Sequence, residues 1–389
     1  VPCETLLKPT IVFGAGSSRD LGAIASSLGR RAVLVAGKSP ERSERFQRLI
    51  EAHRTTCVAF SVPHEPTTTL VRQGTELARS ENCDLVVAAG GGSVLDAAKA
   101  ISILLTNGGD VFDYIEVVGQ GKTFAQHSCP WIALPTTAGT GAEVTRNAVL
   151  ASPEHRMKAS LRSALLLPKA AIVDPELTHD LPASLTASTG LDALTQLIEP
   201  YVSHRANPLT DGFCVEGLRR CARSLRRACD DGHDATARED MALASLFSGL
   251  ALANAGLGAV HGFAAAIGGM FSAPHGAVCA ALLPHVMQAN LRALRQRQPE
   301  NAAVRRFDEI GRILTGSPTA QAEDAVEWIR NLCGGLGIPG LRACGITVEH
   351  GSEIVEKAAK ASSTKNNPII LSSEELDQIL SAAVEDLTR

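Results

Sequence analysis

Two histidines fourteen positions apart, His261 and His275, bound the apolar segment 261–276, and each is followed by glycine. Upstream lies Asp192, in the run Thr189-Gly190-Leu191-Asp192-Ala193-Leu194-Thr195-Gln196. Two imidazoles and one carboxylate are the minimum set that holds a divalent Zn or Fe ion and leaves a position open for a substrate oxygen. Before them stands a glycine-rich turn, Gly90-Gly91-Gly92-Ser93. A phosphate loop first and metal ligands second point to metal-assisted dehydrogenation. The residue types alone leave two plainer readings open: a pair of hydrogen-bonded core histidines, and Asp192 as a helix N-terminal charge or cap. On a helix, Asp192 and Gln196 share a face one turn apart. Glutamine is neutral and a poor ligand, although its carbonyl can bind weakly or position a water.

These residues need a scaffold, and the first half of the chain supplies alternating strand and helix signals. Thr10–Phe13 and Ala32–Ala36 are short β-branched runs, each followed by glycine and a helical stretch. Asp84–Ala89 reads as a buried strand, then comes the glycine turn, then a helix over Val94–Leu105. Trp131–Leu134 and the run from Ile172 read as further strands. Such alternation marks a parallel sheet with crossover helices. Beyond about residue 180, helical periodicity takes over: Leu191–Tyr201, Pro208–Cys229, Ala237–Ala255, Ala277–Leu294, Ala302–Leu314, Ala320–Cys333 and Glu374–Glu385. The expectation is an α/β nucleotide-binding domain over 1–180 and an all-helical domain over 181–389.

A strand running through Gly91, Gly92 and Ser93 into a helix leaves backbone N–H groups aimed at one spot, where a pyrophosphate fits. An ordinary strand–helix turn explains the same residues equally well, and the GxGxxG fingerprint is absent. A second turn, Pro135-Thr136-Thr137-Ala138-Gly139-Thr140-Gly141, offers hydroxyls and open backbone for ribose, phosphate or amide groups.

Composition narrows the class. With 389 residues, 45% hydrophobic and 20% charged, the chain is long enough for two domains of roughly 150 residues or more. A net charge of −4 argues against nucleic acid or anionic membrane as partner. The ten cysteines are scattered without CxxC pairs, as expected of reduced thiols in a cytoplasmic protein. The opening Val-Pro-Cys-Glu-Thr shows no signal peptide, and no apolar stretch reaches a membrane span.

Taken together, these strings resemble the iron-containing, or group III, alcohol dehydrogenases of the dehydroquinate synthase-like superfamily. The resemblance spans nearly the whole chain. It rests on Phe13-Gly14-Ala15-Gly16, Gly90 through Lys99, Pro135 through Glu143, Asp192-Ala193-Leu194 with Glu199, Ala206-Asn207-Pro208, the segment 261–276, and Asn367-Pro368. It implies NAD or NADP as coenzyme, one Fe2+ or Zn2+ per chain, a small alcohol or aldehyde substrate, a site between the two domains, and a homodimer. By resemblance Asp192, His261 and His275 occupy three of four metal-ligand positions and form the catalytic centre. Gln196 stands where the family has its fourth ligand, a histidine, and Ala265 where a further histidine is common. Gly91, Gly92 and Ser93 would hold pyrophosphate, with Asp96 in the same cofactor-binding set, and Thr136, Thr137 and Thr140 would line the ribose–nicotinamide end, with Lys158 beyond the loop 151–157 on the cofactor side. Gly37, Lys38 and Ser39 end the second strand where NAD-preferring relatives carry an acid, so a 2′-phosphate meets no repulsion and NADP(H) is accepted.

The chemistry so implied is reversible hydride transfer. A metal that lowers the pKa of a bound water from about 16 to about 7 does the same to an alcohol oxygen. Two relatives of that scheme stay open: a metal-independent reductase like the maleylacetate reductases, and a nucleotide-binding sensor that lost catalysis. A dehydroquinate-synthase-type lyase needs several cations around the metal, whereas 189–205 and 256–280 contain only Arg205.

Overall fold

The computed structural model describes residues 9–155 and 157–384. The opening segment 1–8 with Cys3, Arg156, and 385–389 with the expected helix end Glu385, lie outside the described residues. The chain divides into two compact units. One comprises 9–137 and Gly141–His179, the other 180–384 with Ala138–Thr140.

The first unit is built on a sheet of six parallel strands in the order β1-β8-β5-β4-β2-β3. These strands are β1 (Thr10–Phe13), β2 (Arg31–Ala36), β3 (Thr56–Ser61), β4 (Leu85–Gly90), β5 (Trp131–Pro135) and β8 (Ala170–Val173). A separate antiparallel hairpin joins β6 (Asn147–Ser152) to β7 (Met157–Arg162). β4 is buried along its whole length, as a central strand covered on both faces must be. β2 shows the period of two directly: Leu34 packs with Leu21, Phe46 and Ile50 of α1 (Leu21–Leu28) and α2 (Pro40–Glu51). Its neighbours Val33 and Val35 pack with Val71, Leu95 and Ile101 of α3 (Thr68–Ser80) and α4 (Gly92–Asn107) on the other face. A short α5 (Val111–Tyr114) follows, opened by an Asp110 capping box.

β3 and the β6–β7 hairpin are additions to the sequence reading. β3 is an edge strand with no buried position, so it lacks the apolar run that betrays β4. β6 alternates half-buried with buried residues, and the turn lies at Pro153–His155, within what reads as a loop.

The second unit is helical: α6 (Ala183–Val202), α7 (Pro208–Asp230), α8 (Ala235–Ala255), α9 (Ala259–Met270), α10 (His275–Arg297), α11 (Ala302–Thr315), α12 (Ala322–Gly335), α13 (Gly351–Lys360) and α14 (Ser373–Val384). One apolar core runs through all of them. α6 starts at Ala183, ahead of the periodic run at Leu191, because its Ser/Thr-rich first turns bury Thr186 and Ala187. No single helix among the described residues is long and apolar enough to cross a membrane. α8 and α9 bend by 98° at a break where Gly256 takes φ 74°, and that bend sets the start of α9.

Candidate metal centre

The helical unit brings Asp192, His261 and His275 together, and adds a fourth side chain, Cys279. One donor atom from each lies within 4.8 Å of all the others. Asp192 comes from mid-α6, His261 from the first turn of α9, and His275 opens α10. Cys279 stands one turn further along α10, on the same face as His275.

Asp192 Oδ1 is 3.3 Å from His261 Nε2 and 3.7 Å from His275 Nε2. Cys279 Sγ is 3.9 Å from His261 Nε2 and 3.8 Å from His275 Nε2. Asp192, His261 and Cys279 are buried, whereas the His275 side chain is 40% exposed and so gives the cluster one open side.

The supporting contacts explain the local sequence. Glu199, seven residues beyond Asp192 and thus on its face of α6, accepts from His261 Nδ1 at 2.7 Å. That bond fixes the ring so that Nε2 faces the cluster, where the neutral ring would offer its lone pair to a cation. The other Glu199 oxygen accepts the Val260 N–H at 2.7 Å, and Asn367 Oδ1 accepts that of Ala259 at 3.2 Å. Remote side chains thereby satisfy the first orphan donors of α9, whose own cap residue is Gly258. A Cβ at Gly258 would sit 2.9 Å from both acceptors.

The glycines after each histidine have a steric cause. A Cβ on Gly276 would lie 2.1 Å from the Ser188 carbonyl oxygen, and one on Gly262 would lie 2.0 Å from Thr364 Oγ1. Glycine lets α10 close on α6, and α9 on the 364–366 turn. Gln196 Nε2 donates to Asp192 Oδ2 at 2.8 Å and to the Gly139 carbonyl at 3.2 Å. Both partners are acceptors, so the amide orientation is set by chemistry.

The charges respond to one another. Burial opposes the charged form of Asp192, yet the two imidazoles and Cys279 bring its carboxyl below the usual range. Burial likewise opposes the charge on His261, but Cys279, Glu199 and Asp192 raise its pKa well above the ordinary value. Cys279 first and then Asp192 raise that of His275 against its desolvation. The Cys279 thiol is lowered by His275 and His261 despite burial, whereas burial pushes Cys129, Cys221 and Cys333 up to about 12.

Asp192 Oδ1 tests whether a cation fits. It is buried and has no hydrogen-bond partner among the described residues, although its sister oxygen is bonded. A carboxylate oxygen withdrawn from water and left unbonded is costly unless a cation meets it. With two nitrogens and a sulfur converging on the same point, the donor set suits a divalent ion.

The nucleotide candidates gather in the other unit. Gly37–Ser39, Gly91–Ser93 and Thr136–Thr137 follow β2, β4 and β5, three neighbouring strands, at the carboxyl edge where open α/β sheets bind ligands. α4 begins at Gly92 with Gly91 as its cap and makes no side-chain cap hydrogen bond. Gly91 lies against Thr137, whose Cγ2 and Oγ1 would be 3.3 Å from an added Cβ. Ser39 caps α2 and its hydroxyl also donates to Glu41 at 2.9 Å. Lys38 lies in the turn between β2 and α2. Asp96 accepts from the buried Lys99 ammonium at 3.0 Å and from the Val149 N–H at 3.0 Å, tying α4 to the hairpin. Lys158 pairs with Glu65 at 2.6 Å. Thr140 falls in the short segment Ala138–Thr140 that belongs with the helical unit.

Comparison with known proteins agrees along the chain. Residues 8–175 match the iron-containing alcohol dehydrogenases, and 186–384 match the C-terminal part of the Fe-containing alcohol dehydrogenase family. A 1,3-propanediol dehydrogenase of Klebsiella pneumoniae is 38% identical over 87% of this chain and 88% of its own length. An NAD-dependent methanol dehydrogenase of Bacillus methanolicus is 32% identical over 97% and 99%. A crystal structure of 1,3-propanediol oxidoreductase superposes with a TM-score of 0.91 at 35% identity, covering 98% of this chain and all, 100%, of the other. Sequence, fold and a convergent donor set thus lead to one conclusion: the chain belongs to the iron-containing alcohol dehydrogenase family and is a metal-dependent, NAD(P)-linked oxidoreductase acting on alcohols.

Proposed function

We propose that the enzyme transfers hydride reversibly between a small uncharged alcohol and NADP(H) or NAD(H), with Asp192, His261 and His275 holding one Fe2+ or Zn2+. The observation that carries this reading is the meeting of buried donors around the unbonded Asp192 Oδ1. When bound, the ion supplies Lewis-acid polarisation of the substrate oxygen. Asp192 brings the negative charge, Gln196 orients it, and Glu199 holds His261 in the tautomer that offers Nε2. Exposed His275 lies on the side from which substrate reaches the cluster. Gly91, Gly92 and Ser93 would bind pyrophosphate through backbone N–H groups, and Thr136, Thr137 and Thr140 would contact the ribose and nicotinamide. Ala265, one turn past His261 on α9, is exposed and uncharged, which suits a neutral substrate of the kind named for the propanediol and methanol dehydrogenases. A cytoplasmic homodimer completes the reading, supported by likeness to the family.

The test is the metal content of anaerobically purified protein, with 1,3-propanediol and methanol oxidation followed before chelation, after it, and after Fe2+ or Zn2+ add-back. Near-stoichiometric metal and loss of turnover on chelation are expected. Full turnover in metal-free protein would instead place the chain with metal-independent reductases. Bound nucleotide without turnover on any short alcohol or aldehyde would favour a sensor.

Coenzyme choice has its own test. A Cβ on Gly37 meets nothing within 4 Å, so Gly37→Asp is accommodated. Its carboxylate should repel a 2′-phosphate and lower the ratio of kcat/KM for NADP over NAD on the order of tenfold, about 1.4 kcal/mol. An unchanged ratio would remove the Gly37–Ser39 turn from coenzyme selection.

A further inference from the structure

We propose that Cys279 is a direct ligand of the metal, completing an Asp-His-His-Cys set in which Gln196 supports Asp192 without touching the ion. The proposal rests on the metal-dependent reading above and names the fourth donor.

Geometry carries it. Bond lengths of about 2.0–2.3 Å at tetrahedral angles put neighbouring donor atoms roughly 3.3–3.6 Å apart. The observed separations are 3.3 and 3.7 Å from the Asp192 oxygen to the two nitrogens, and 3.9 and 3.8 Å from the Cys279 sulfur to the same nitrogens. These four separations lie within about half an ångström of such a shell, and all four donor atoms fall within 4.8 Å of one another. Cys279 is fully buried, at 0% exposure, and sits on the α10 face that also carries His275. Gln196 spends its amide nitrogen on Asp192 Oδ2 and the Gly139 carbonyl. The side chain therefore positions a ligand.

The consequence is chemical. On binding, the Cys279 thiol gives its proton to solvent as the sulfur–metal bond forms. Carboxylate and thiolate then balance the charge of a divalent ion. A thiolate among the donors favours Zn2+ over harder ions relative to an all-nitrogen-and-oxygen set. The His275 side chain is 40% exposed, so an ion held by these four residues would still be open to substrate on that side.

The full-length chain, stripped with chelator and titrated anaerobically with Co2+, decides the matter by absorption. The expected result is a near-ultraviolet thiolate-to-cobalt charge-transfer band that saturates at one equivalent, with visible ligand-field bands alongside. Cys279→Ser should abolish the charge-transfer band and weaken Co2+ binding by more than the roughly 10–100-fold typical of lost outer partners. Gln196→Ala should keep the band. Stoichiometric Co2+ with ligand-field bands but no charge-transfer band overturns the ligand assignment and leaves the metal reading standing. A band that persists undiminished in Cys279→Ser does the same, because another thiol then produces it. Failure of the unaltered chain to bind Co2+ overturns both. Should Cys279→Ser not fold, the spectrum of the unaltered chain and that of Cys279→Ala carry the decision.

Discussion

Asp192→Asn is expected to lower kcat/KM for alcohol oxidation by about 1,000-fold or more and to strip the protein of its metal, with the fold retained. The substitution is isosteric, so the packing of α6 against α9 and α10 need not change. What changes is charge and hydrogen-bonding sense. Asp192 Oδ2 accepts from Gln196 Nε2, and Oδ1 faces His261 and His275 without a hydrogen bond. An asparagine amide has one oxygen and one NH2 for these two places. With the oxygen kept toward Gln196, the NH2 group points at the imidazoles and at the place a bound ion would take. Flipped, it meets the Gln196 NH2 group head-on. Neither arrangement presents a negative oxygen to a cation. The loss of several kcal/mol follows from removing a charged ligand in a buried site. Metal analysis, steady-state kinetics and a thermal melt on the same preparation check it. Unchanged metal content and turnover would remove Asp192 from the centre.

How much of this centre was legible depends on the signal each residue leaves. His261 and His275 announce themselves by type and by the glycines that follow, and the structure supplies the reason in the Ser188 and Thr364 contacts. Glu199 enters the sequence reading only as part of a motif, although its spacing of seven from Asp192 already puts both on one face of a helix. Cys279 was hidden among ten scattered cysteines with no pairing pattern. The signal that finds it is its i+4 spacing from His275, which becomes informative only once that stretch is known to be helical. In the sheet-bearing unit the buried strands β2, β4 and β5 were readable from their apolar runs. β3 was not, because an edge strand half open to solvent buries too little to leave such a run. The role of Asp96 was masked for a similar reason: its bonds to Lys99 and Val149 depend on where the β6–β7 hairpin folds back.

The second large effect concerns stability and lies in the sheet-bearing unit, at Glu143. This residue lies two positions beyond Gly141, which adopts φ 58°, and it is 1% exposed with Oε1 unbonded among the described residues. Lys99 offers it no hydrogen bond, because that ammonium is committed to Asp96, Thr145 and the Asn147 carbonyl. Burial therefore dominates and pushes the carboxyl from 4.5 up to about 7, against smaller opposing effects of its own backbone and Lys99. Between those two values the folded chain holds a proton that the unfolded chain releases. The associated stability is fully present below 4.5 and is lost as pH rises through about 7. The sum over that window is roughly 3 kcal/mol. Glu143→Gln carries no titrating proton, so its stability relative to the unaltered chain should rise by that amount from about pH 4 to about pH 8. Any cost of burying the amide is an offset constant in pH. Urea midpoints of both chains at a series of pH values measure the difference directly. Parallel curves would mean that Glu143 ionises at its ordinary pKa, and the buried carboxyl would then require a charge partner beyond Lys99.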